Sequence, residues 1–421
     1  MGGRNLSYLD AMRWAGVRPI RRPLVLLALV CAAAALVSPA SATTLDSQRQ
    51  QPRRLPANFF GVNAQWLQTL TADGDTAAAL RHAREMRRLG IGIARISLHW
   101  GAVEPSPPLL GSHHFSFASF DPAVAALAQS RIRVALLLLG APAWARDVGG
   151  TLSCNRRLAA PGSPADFAAY AAAVTERYGR GGSFWREHPD LPYLPVTQFE
   201  VWNEPNWWDY WCPDINPARY ADLFTEAAQQ IHAADPAARV VLGGLVATNR
   251  TTYWPDGTMH GMETGQFLSL MLDHRPDARA QIDAVGLHTY GDVPSIHLDL
   301  LRYARWRLRQ VGLGRVPFVY NEYGWATKGD RGFVTSERAR AAYLRKITSV
   351  AARGTCGIIE VDPYTWATAE ASPADAEDWF GIVDPQTARP YATARAYSGV
   401  SQLLRGRLAK PAPGRITTCR R

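Results

Sequence analysis

The chain has 421 residues, 47% of them hydrophobic and 19% charged, with a formal net charge of +10, the make-up of an ordinary globular protein with room for one large domain or two smaller ones. Five arginines against one aspartate in residues 1–42 carry +4 of that charge, leaving +6 for the remainder with no dense basic block. That pattern argues against a nucleic-acid partner and describes a generally basic surface.

In chain order, Arg4, Arg13, Arg18, Arg21 and Arg22 precede an apolar run from Leu24 to Val37, followed by Pro39, Ala40, Ser41 and Ala42. A basic start, a short apolar stretch and a small-x-small site read as a secretory signal peptide over residues 1–42. The run is shorter than the roughly 20 residues of a spanning helix, so the expected mature form is extracytoplasmic and outside the membrane. An uncleaved signal anchor, tethering the same domain outside, is the alternative. Residues 43–56 are polar, with arginine and proline, and read as an exposed linker.

From there strand-like apolar runs alternate with helix-like segments. The strands are expected at 58–63, 91–98, 132–139, 196–203, 238–244, 282–289, 316–322 and 357–361. The helices are expected near 77–89, 121–130, 164–179, 216–234, 264–274, 297–311, 335–352 and 391–404. Asp121-Pro122 and Ser163-Pro164 place a capping oxygen before a first-turn proline, and Ser336-Glu337 follows a loop, as helix starts prefer. The run Val134-Ala135-Leu136-Leu137-Leu138-Leu139 is apolar without alternation, as in a parallel strand covered on both faces. Eight such units with no glycine-rich phosphate turn after the first strand predict an α/β fold, a (β/α)8 TIM barrel forming a single catalytic domain over residues 57–408. Residues 409–421 form a basic tail, and the chain is expected to act as a monomer.

In such a barrel, chemistry sits at the C-terminal ends of the strands. Here those ends read Arg95-Ile96-Ser97-Leu98-His99-Trp100, Glu200-Val201-Trp202-Asn203-Glu204-Pro205-Asn206, His288-Thr289-Tyr290, Asn321-Glu322-Tyr323-Gly324-Trp325 and Asp362-Pro363-Tyr364-Thr365-Trp366. Glu204 and Glu322 come from opposite walls of the ring and can face one another across a central cleft. Cleaving a glycosidic bond needs this pair, one carboxyl to protonate the leaving oxygen and one to face the anomeric carbon. The histidines show no metal-ligand spacing, so no metal and no cofactor are expected, and the expected partner is a carbohydrate.

Asn203-Glu204-Pro205 after the fourth strand, with Glu322 after the seventh, resembles glycoside hydrolase clan A over most of the chain beyond residue 57. Phe199 to Asn206 and Gly140-Ala141-Pro142-Ala143-Trp144 are similar to bacterial members of families 39 and 5. The resemblance implies Glu204 as acid/base, Glu322 as nucleophile, Asn203 on a sugar hydroxyl, Arg95 and Tyr290 holding Glu322 ionised, and Trp366 as the floor of the reacting sugar. It also implies retained stereochemistry through a covalent intermediate, which needs the carboxyl groups about 5–5.5 Å apart. The sugar stays open among xylosides, glucans and a bacterial exopolysaccharide, and endo and exo action both stay open. A binding protein on a retired barrel and a transglycosylase are the rival functions.

Other residues carry competing readings. Glu200 shares its strand face with Trp202 and Glu204 but lies deeper, and reads as a buried carboxylate with a cationic partner. Glu360 and Asp362 read as a structural pair. His288 and His99 contact substrate or brace the site. Trp207, Trp208, Tyr210 and Trp211 on one loop suit sugar stacking, with packing claiming one or two of them, and Trp144, Trp325 and Trp379 are further cleft candidates. Without Cys31, four cysteines remain, which allow three pairings. Their places in the barrel pair Cys154 with Cys212 and Cys356 with Cys419, with another or no pairing as the alternative.

Overall fold

The computed structural model describes residues 53–147, 158–330, 332–409 and 419. Its main sheet has eight parallel strands: β1 Gly61–Asn63, β2 Ile93–His99, β3 Arg133–Leu139, β4 Gln198–Asn203, β5 Arg239–Val246, β6 Ala284–His288, β7 Phe318–Glu322 and β8 Ile358–Val361. Each pairs with the next in chain order. The ring closes through a parallel bridge from Phe60 to Val361, with the Val361 N–H donating to Phe59 O at 2.9 Å. The (β/α)8 barrel expected from the sequence is the fold observed.

Among the described residues, eight helices of nine residues or more lie between and after the strands: α1 Thr76–Arg88, α2 Asp121–Gln129, α3 Pro164–Tyr178, α4 Pro217–Ala234, α5 Thr264–His274, α6 Pro294–Gln310, α7 Glu337–Arg353 and α8 Ala392–Leu404. Ser163 caps α3 by accepting from Asp166 N, and Ser336 caps α7 by accepting from Ala339 N, satisfying donors that have no partner within the helix. Asp121 departs from the capping role read for it. It is the first residue of α2, with Phe120 before it and no side-chain cap. Its carboxylate instead accepts from Arg177 at 2.6 Å and from Tyr178 OH at 2.7 Å, joining α2 to α3.

Central strands such as β3 are buried along nearly their whole length, since helices cover one face and barrel side chains fill the other. No helix among the described residues is long and apolar enough to cross a membrane. The signal-peptide reading concerns residues outside those described. Residues 53–56, read as the end of a linker, are docked: Arg53–Arg54 pair antiparallel with Leu408–Ala409, and Leu55 is fully buried. Burying Leu55 stabilises that docking by roughly 1.5–3 kcal/mol. Cys356 is bonded to Cys419, as its place at the bottom of β8 suggested. Cys212 is disulfide-bonded, and Cys154, expected as its partner, lies outside the described residues.

Candidate active site

Arg95 on β2 organises the top of the barrel. It is 1% exposed, and all five of its N–H bonds are used. Nε and Nη2 donate to the two Glu200 oxygens at 2.7 and 3.0 Å, Nη2 also to Asn203 Oδ1 at 2.9 Å, and Nη1 to Asn63 Oδ1 at 2.7 Å and Glu322 Oε1 at 2.9 Å. Burial opposes its charge, but Glu200 and then Glu322 outweigh that and push its pKa above the ordinary arginine value. Glu200 thus has the cationic partner expected of it. It also accepts from Gly244 N at 2.7 Å and Asn321 Nδ2 at 2.9 Å, so its lone pairs are committed inside the barrel and not to a ligand.

Glu322, at the end of β7, takes a second donor, Tyr290 OH at 2.8 Å on Oε2. Both residues read as its holders therefore touch it. The direction of its pKa differs from the low value expected. Burial pushes it above the ordinary 4.5 while Arg95 and Tyr290 pull it back, and Glu200 adds to the rise.

Glu204 follows β4 through a strained turn. Trp202 and Glu204 have φ of 68° and 47°, backbone that side-chain-bearing residues seldom adopt and that clusters at functional sites. The Glu204 N–H donates to Gly244 O at 3.0 Å, and Asn206 ties the loop to Val246 and Met262 through its side chain. The turn is thereby fixed by hydrogen bonds on both sides of the glutamate.

Between the two carboxyls stands His288, from the end of β6. Its Nδ1 lies 2.5 Å from Glu204 Oε1 and 3.4 Å from Glu322 Oε2. Burial, and then Arg95, lower its pKa well below 6.5, so the ring is neutral. Nε2 faces Gly244 with no hydrogen-bond partner among the described residues. A buried N–H without an acceptor costs more than a bare nitrogen, which places the proton on Nδ1, donating to Glu204. The sequence left His288 between ligand contact and bracing; among the described residues its ring touches both candidate carboxyls.

Glu204, His288 and Glu322 each place one donor atom within 4.8 Å of the others. A metal ion would meet the Arg95 guanidinium 2.9 Å from one of these ligands, and that cation already fills the electrostatic role a metal would take. The carboxylate oxygens of Glu204 and Glu322 are thus brought together across the ring, as the strand-end reading required.

The fold is shared with family 39 and family 5 glycoside hydrolases. A family 39 glycoside hydrolase from the gut symbiont Bacteroides cellulosilyticus WH2 superimposes with a TM-score of 0.60 at 19% identity, over 83% of this chain and 64% of that one. A monomeric β-xylosidase from Caulobacter crescentus CB15 gives 0.58 at 17% identity, over 83% and 69%. GH5_18 from Streptomyces cattleya, solved with GlcNAc, gives 0.59 at 14% identity, over 85% and 83%. The chain thus spans less than two thirds of the length of the Bacteroides enzyme. At such identities the likeness establishes the barrel. No family model matches the chain, and no curated protein does.

The aromatic residues fall differently from expectation. Trp366, read as the sugar floor, is fully buried: its N–H donates to His82 Nδ1 on α1 at 2.9 Å, so the ring packs behind the barrel. Trp325 is buried with its N–H on Gly291 O at 2.8 Å and its ring against His297. Of the loop after β4, Trp211 packs edge-on against Trp202 and Tyr220, and Trp207 lies over Gly261 and His260. The physical reason is common to all four: a large apolar ring gains more from close packing against neighbouring side chains than from an open cleft. Trp208, Tyr210, Trp144 and Trp379 remain half-buried. His99 is exposed at the end of β2.

Glu360 on β8 and Asp362 just after it are buried, and Gln198 Nε2 donates to Glu360 at 2.9 Å. Burial pushes both up, Glu360 to about 7, as the structural reading required. The sequence reading passed over Tyr364 and Glu377. The Tyr364 ring stands edge-on to Tyr290 at 6.5 Å and its OH donates to Glu377 at 3.0 Å. The available signal for Tyr364 was its place two residues before Trp366 in the same strand end; Glu377 sits in a loop with no strand register to place it.

Proposed function

We propose that the protein is a secreted, retaining glycoside hydrolase of β-linked saccharides, with Glu204 as acid/base and Glu322 as nucleophile. The observation that carries this reading is the approach of their carboxylate oxygens within 4.8 Å at the catalytic end of a barrel. Retaining enzymes hold their carboxyl groups about 5–5.5 Å apart, whereas inverting ones need roughly 6.5–9.5 Å to admit a water between carboxylate and sugar.

The chemistry follows from the contacts. In the first step Glu322 attacks the anomeric carbon as the bond to the leaving oxygen breaks, and that oxygen takes the Glu204 proton. Arg95 and Tyr290 fix the direction of attack, each using an oxygen of Glu322. In the second step ionised Glu204 accepts a proton from water, whose oxygen displaces Glu322 from the sugar. His288 holds Glu204 toward the bond throughout. The secretion reading rests on residues 1–42, and the likeness to family 39 and family 5 hydrolases supports the carbohydrate substrate.

The test is a screen of the purified domain on aryl β-glycosides and polysaccharides, followed by Glu322→Ala on whatever is cleaved. Loss of nearly all hydrolysis with retained ligand affinity, and rescue by azide, is the expected result. Turnover unchanged in that variant removes Glu322 from the mechanism.

A further inference from the structure

Away from the cleft, α1 carries an unusual concentration of positive charge. Arg81, Arg84 and Arg88 recur at spacings of three and four residues, which winds them onto one helical face, and like charges at those spacings work against a helix. The loop that follows β8 packs alongside that face. Between them runs a groove of about 530 Å³, lined by Arg81, Arg84, Glu85 and Arg88 from α1 and by Ala388 and Arg389 from the loop. Its volume falls within the roughly 300–1,000 Å³ of small-molecule sites. None of the groups assigned to the glycosidic chemistry borders it.

The loop wall of this groove is fixed by hydrogen bonds. Asp384 Oδ1 accepts from Gln386 N at 3.0 Å and Thr387 N at 2.8 Å, which closes the turn. His82 Nε2 on α1 lies 3.1 Å from Pro385 O in a buried contact, and Arg81 Nη2 donates to Gln386 O at 3.1 Å. Ala388 is held at φ 63° while only 2% exposed, a backbone conformation that costs energy and clusters at ligand clamps.

The groove is short of acids. Four arginines against one glutamate leave it a charge of +3, and Arg88 engages both oxygens of that glutamate, Glu85, at 2.7 and 2.5 Å. Arg81 meets a neutral carbonyl. The guanidiniums of Arg84 and Arg389 have no hydrogen-bond or ion-pair partner among the described residues. Such free guanidiniums present planar forks of N–H donors that match a carboxylate.

We infer that the groove between α1 and the loop after β8 is a second carbohydrate-binding site, separate from the cleft, which holds the uronate carboxylates of an acidic polysaccharide. The choice of a glycan as bearer of those carboxylates rests on the hydrolase reading, whereas the anion site stands on its own contacts. The groove is open to solvent along the flank of the barrel, so a long chain can lie in it without threading. A polymer held there keeps its other units at high effective concentration near the cleft.

The experiment is titration calorimetry of the full chain with polygalacturonate, with a neutral glucan and with polyphosphate, at low and high salt. Polygalacturonate is expected to bind, less tightly as salt rises, and the neutral glucan to show no dependence on these arginines. Arg84→Ser/Arg389→Ser should weaken polygalacturonate about tenfold or more. Arg338→Ser/Arg345→Ser, which removes the same charge from exposed positions on α7, should leave it unchanged. Equal losses in the two double variants, or no binding of polygalacturonate, overturn the inference, and tighter binding of polyphosphate overturns the carboxylate assignment. Turnover of a small aryl glycoside should be unaltered in Arg84→Ser/Arg389→Ser; a fall matching the loss of binding would place the effect in the cleft and overturn the separate site. Polygalacturonate bound with no glycoside cleaved would sink the hydrolase reading and leave the groove standing. Cleavage without polygalacturonate binding would do the reverse.

Discussion

A single methyl group tests whether His288 positions the acid/base. Gly244, on β5, packs beneath the imidazole: a Cβ there would lie 2.0 Å from Nε2, 2.6 Å from Cε1 and 2.7 Å from Cδ2. Carbon contacts relax at about 3.5–4.0 Å, so Gly244→Ala must drive the ring back by more than about 1 Å. The ring is fully buried, with Glu204 2.5 Å from Nδ1, and it can yield only by turning or by displacing that carboxyl. Overpacking of this kind costs roughly 1–3 kcal/mol of stability, and a misplacement of about 1 Å at a positioning group costs up to about 100-fold in rate. We expect kcat/KM on the best aryl glycoside to fall about 100-fold with the protein still folded. The assay is a double-mutant cycle with His288→Ala. Once the ring is gone the methyl has nothing to strike, so Gly244→Ala should add little in that background. An undiminished penalty there would show that the glycine serves something other than His288.

Three further outcomes follow from the same contacts. Because Glu322 must be ionised to attack and its pKa is raised above 4.5 by burial, the acid limb of kcat/KM should lie above pH 4.5; a limb at or below that value contradicts the assignment. Glu360 is protonated in the fold up to about pH 7 against 4.5 as its ordinary value, so its contribution is present below pH 4.5 and lost as pH rises toward 7, a difference of roughly 3 kcal/mol. Glu360→Gln should then stabilise the protein at pH 8 but not at pH 4, in denaturant titrations, and equal effects at both would refute the burial argument. Cys356 and Cys419 close 63 residues of chain, so Cys419→Ser should cost up to about 4 kcal/mol by loop entropy and leave kcat unchanged, since the bond lies at the end of the barrel away from Glu204.

Much of this molecule was legible in its sequence, for reasons that differ by element. The eight strands announced themselves as continuous apolar runs, and β3 occupies Arg133–Leu139 where 132–139 was read. Strand ends were legible for charged groups in part: a buried Glu200 required a cation, which the structure supplies as Arg95, while the contact of Arg95 with Glu322 was expected from the family resemblance and not from register. Aromatic residues carry no such constraint. Trp366 and Tyr364 sit two residues apart on one strand end, and either composition or alternation admits both to the cleft. What separates them is that Trp366 finds His82 on α1, a contact between residues 284 positions apart. Asp121 failed for a related reason: Arg177 and Tyr178, from the far end of the next helix, outbid the helix terminus for its oxygens.

The pKa of Glu322 shows how far pairwise reasoning carries. Two donors on one carboxylate argue for a low value, and both donors are present. Yet Arg95 is not Glu322's alone. Glu200 takes two of its five N–H bonds at 2.7 and 3.0 Å, and Asp362 lies within its field, so one guanidinium faces three carboxyls in a space nearly closed to water. Burial first, and for Asp362 the neighbouring Glu360, push Asp362 and Glu360 up, which keeps a proton among the acids. The nucleophile is thus held in line by Arg95 without being fully neutralised by it. That leaves Glu322 more basic, and so a better attacking group, than an isolated Arg–Glu bridge would. On this account Glu200→Gln, by removing the carboxylate that shares Arg95 with Glu322 and raises its pKa, should shift the acid limb of kcat/KM downward. A limb that stayed in place would mean that Glu200 is electrostatically silent toward the nucleophile.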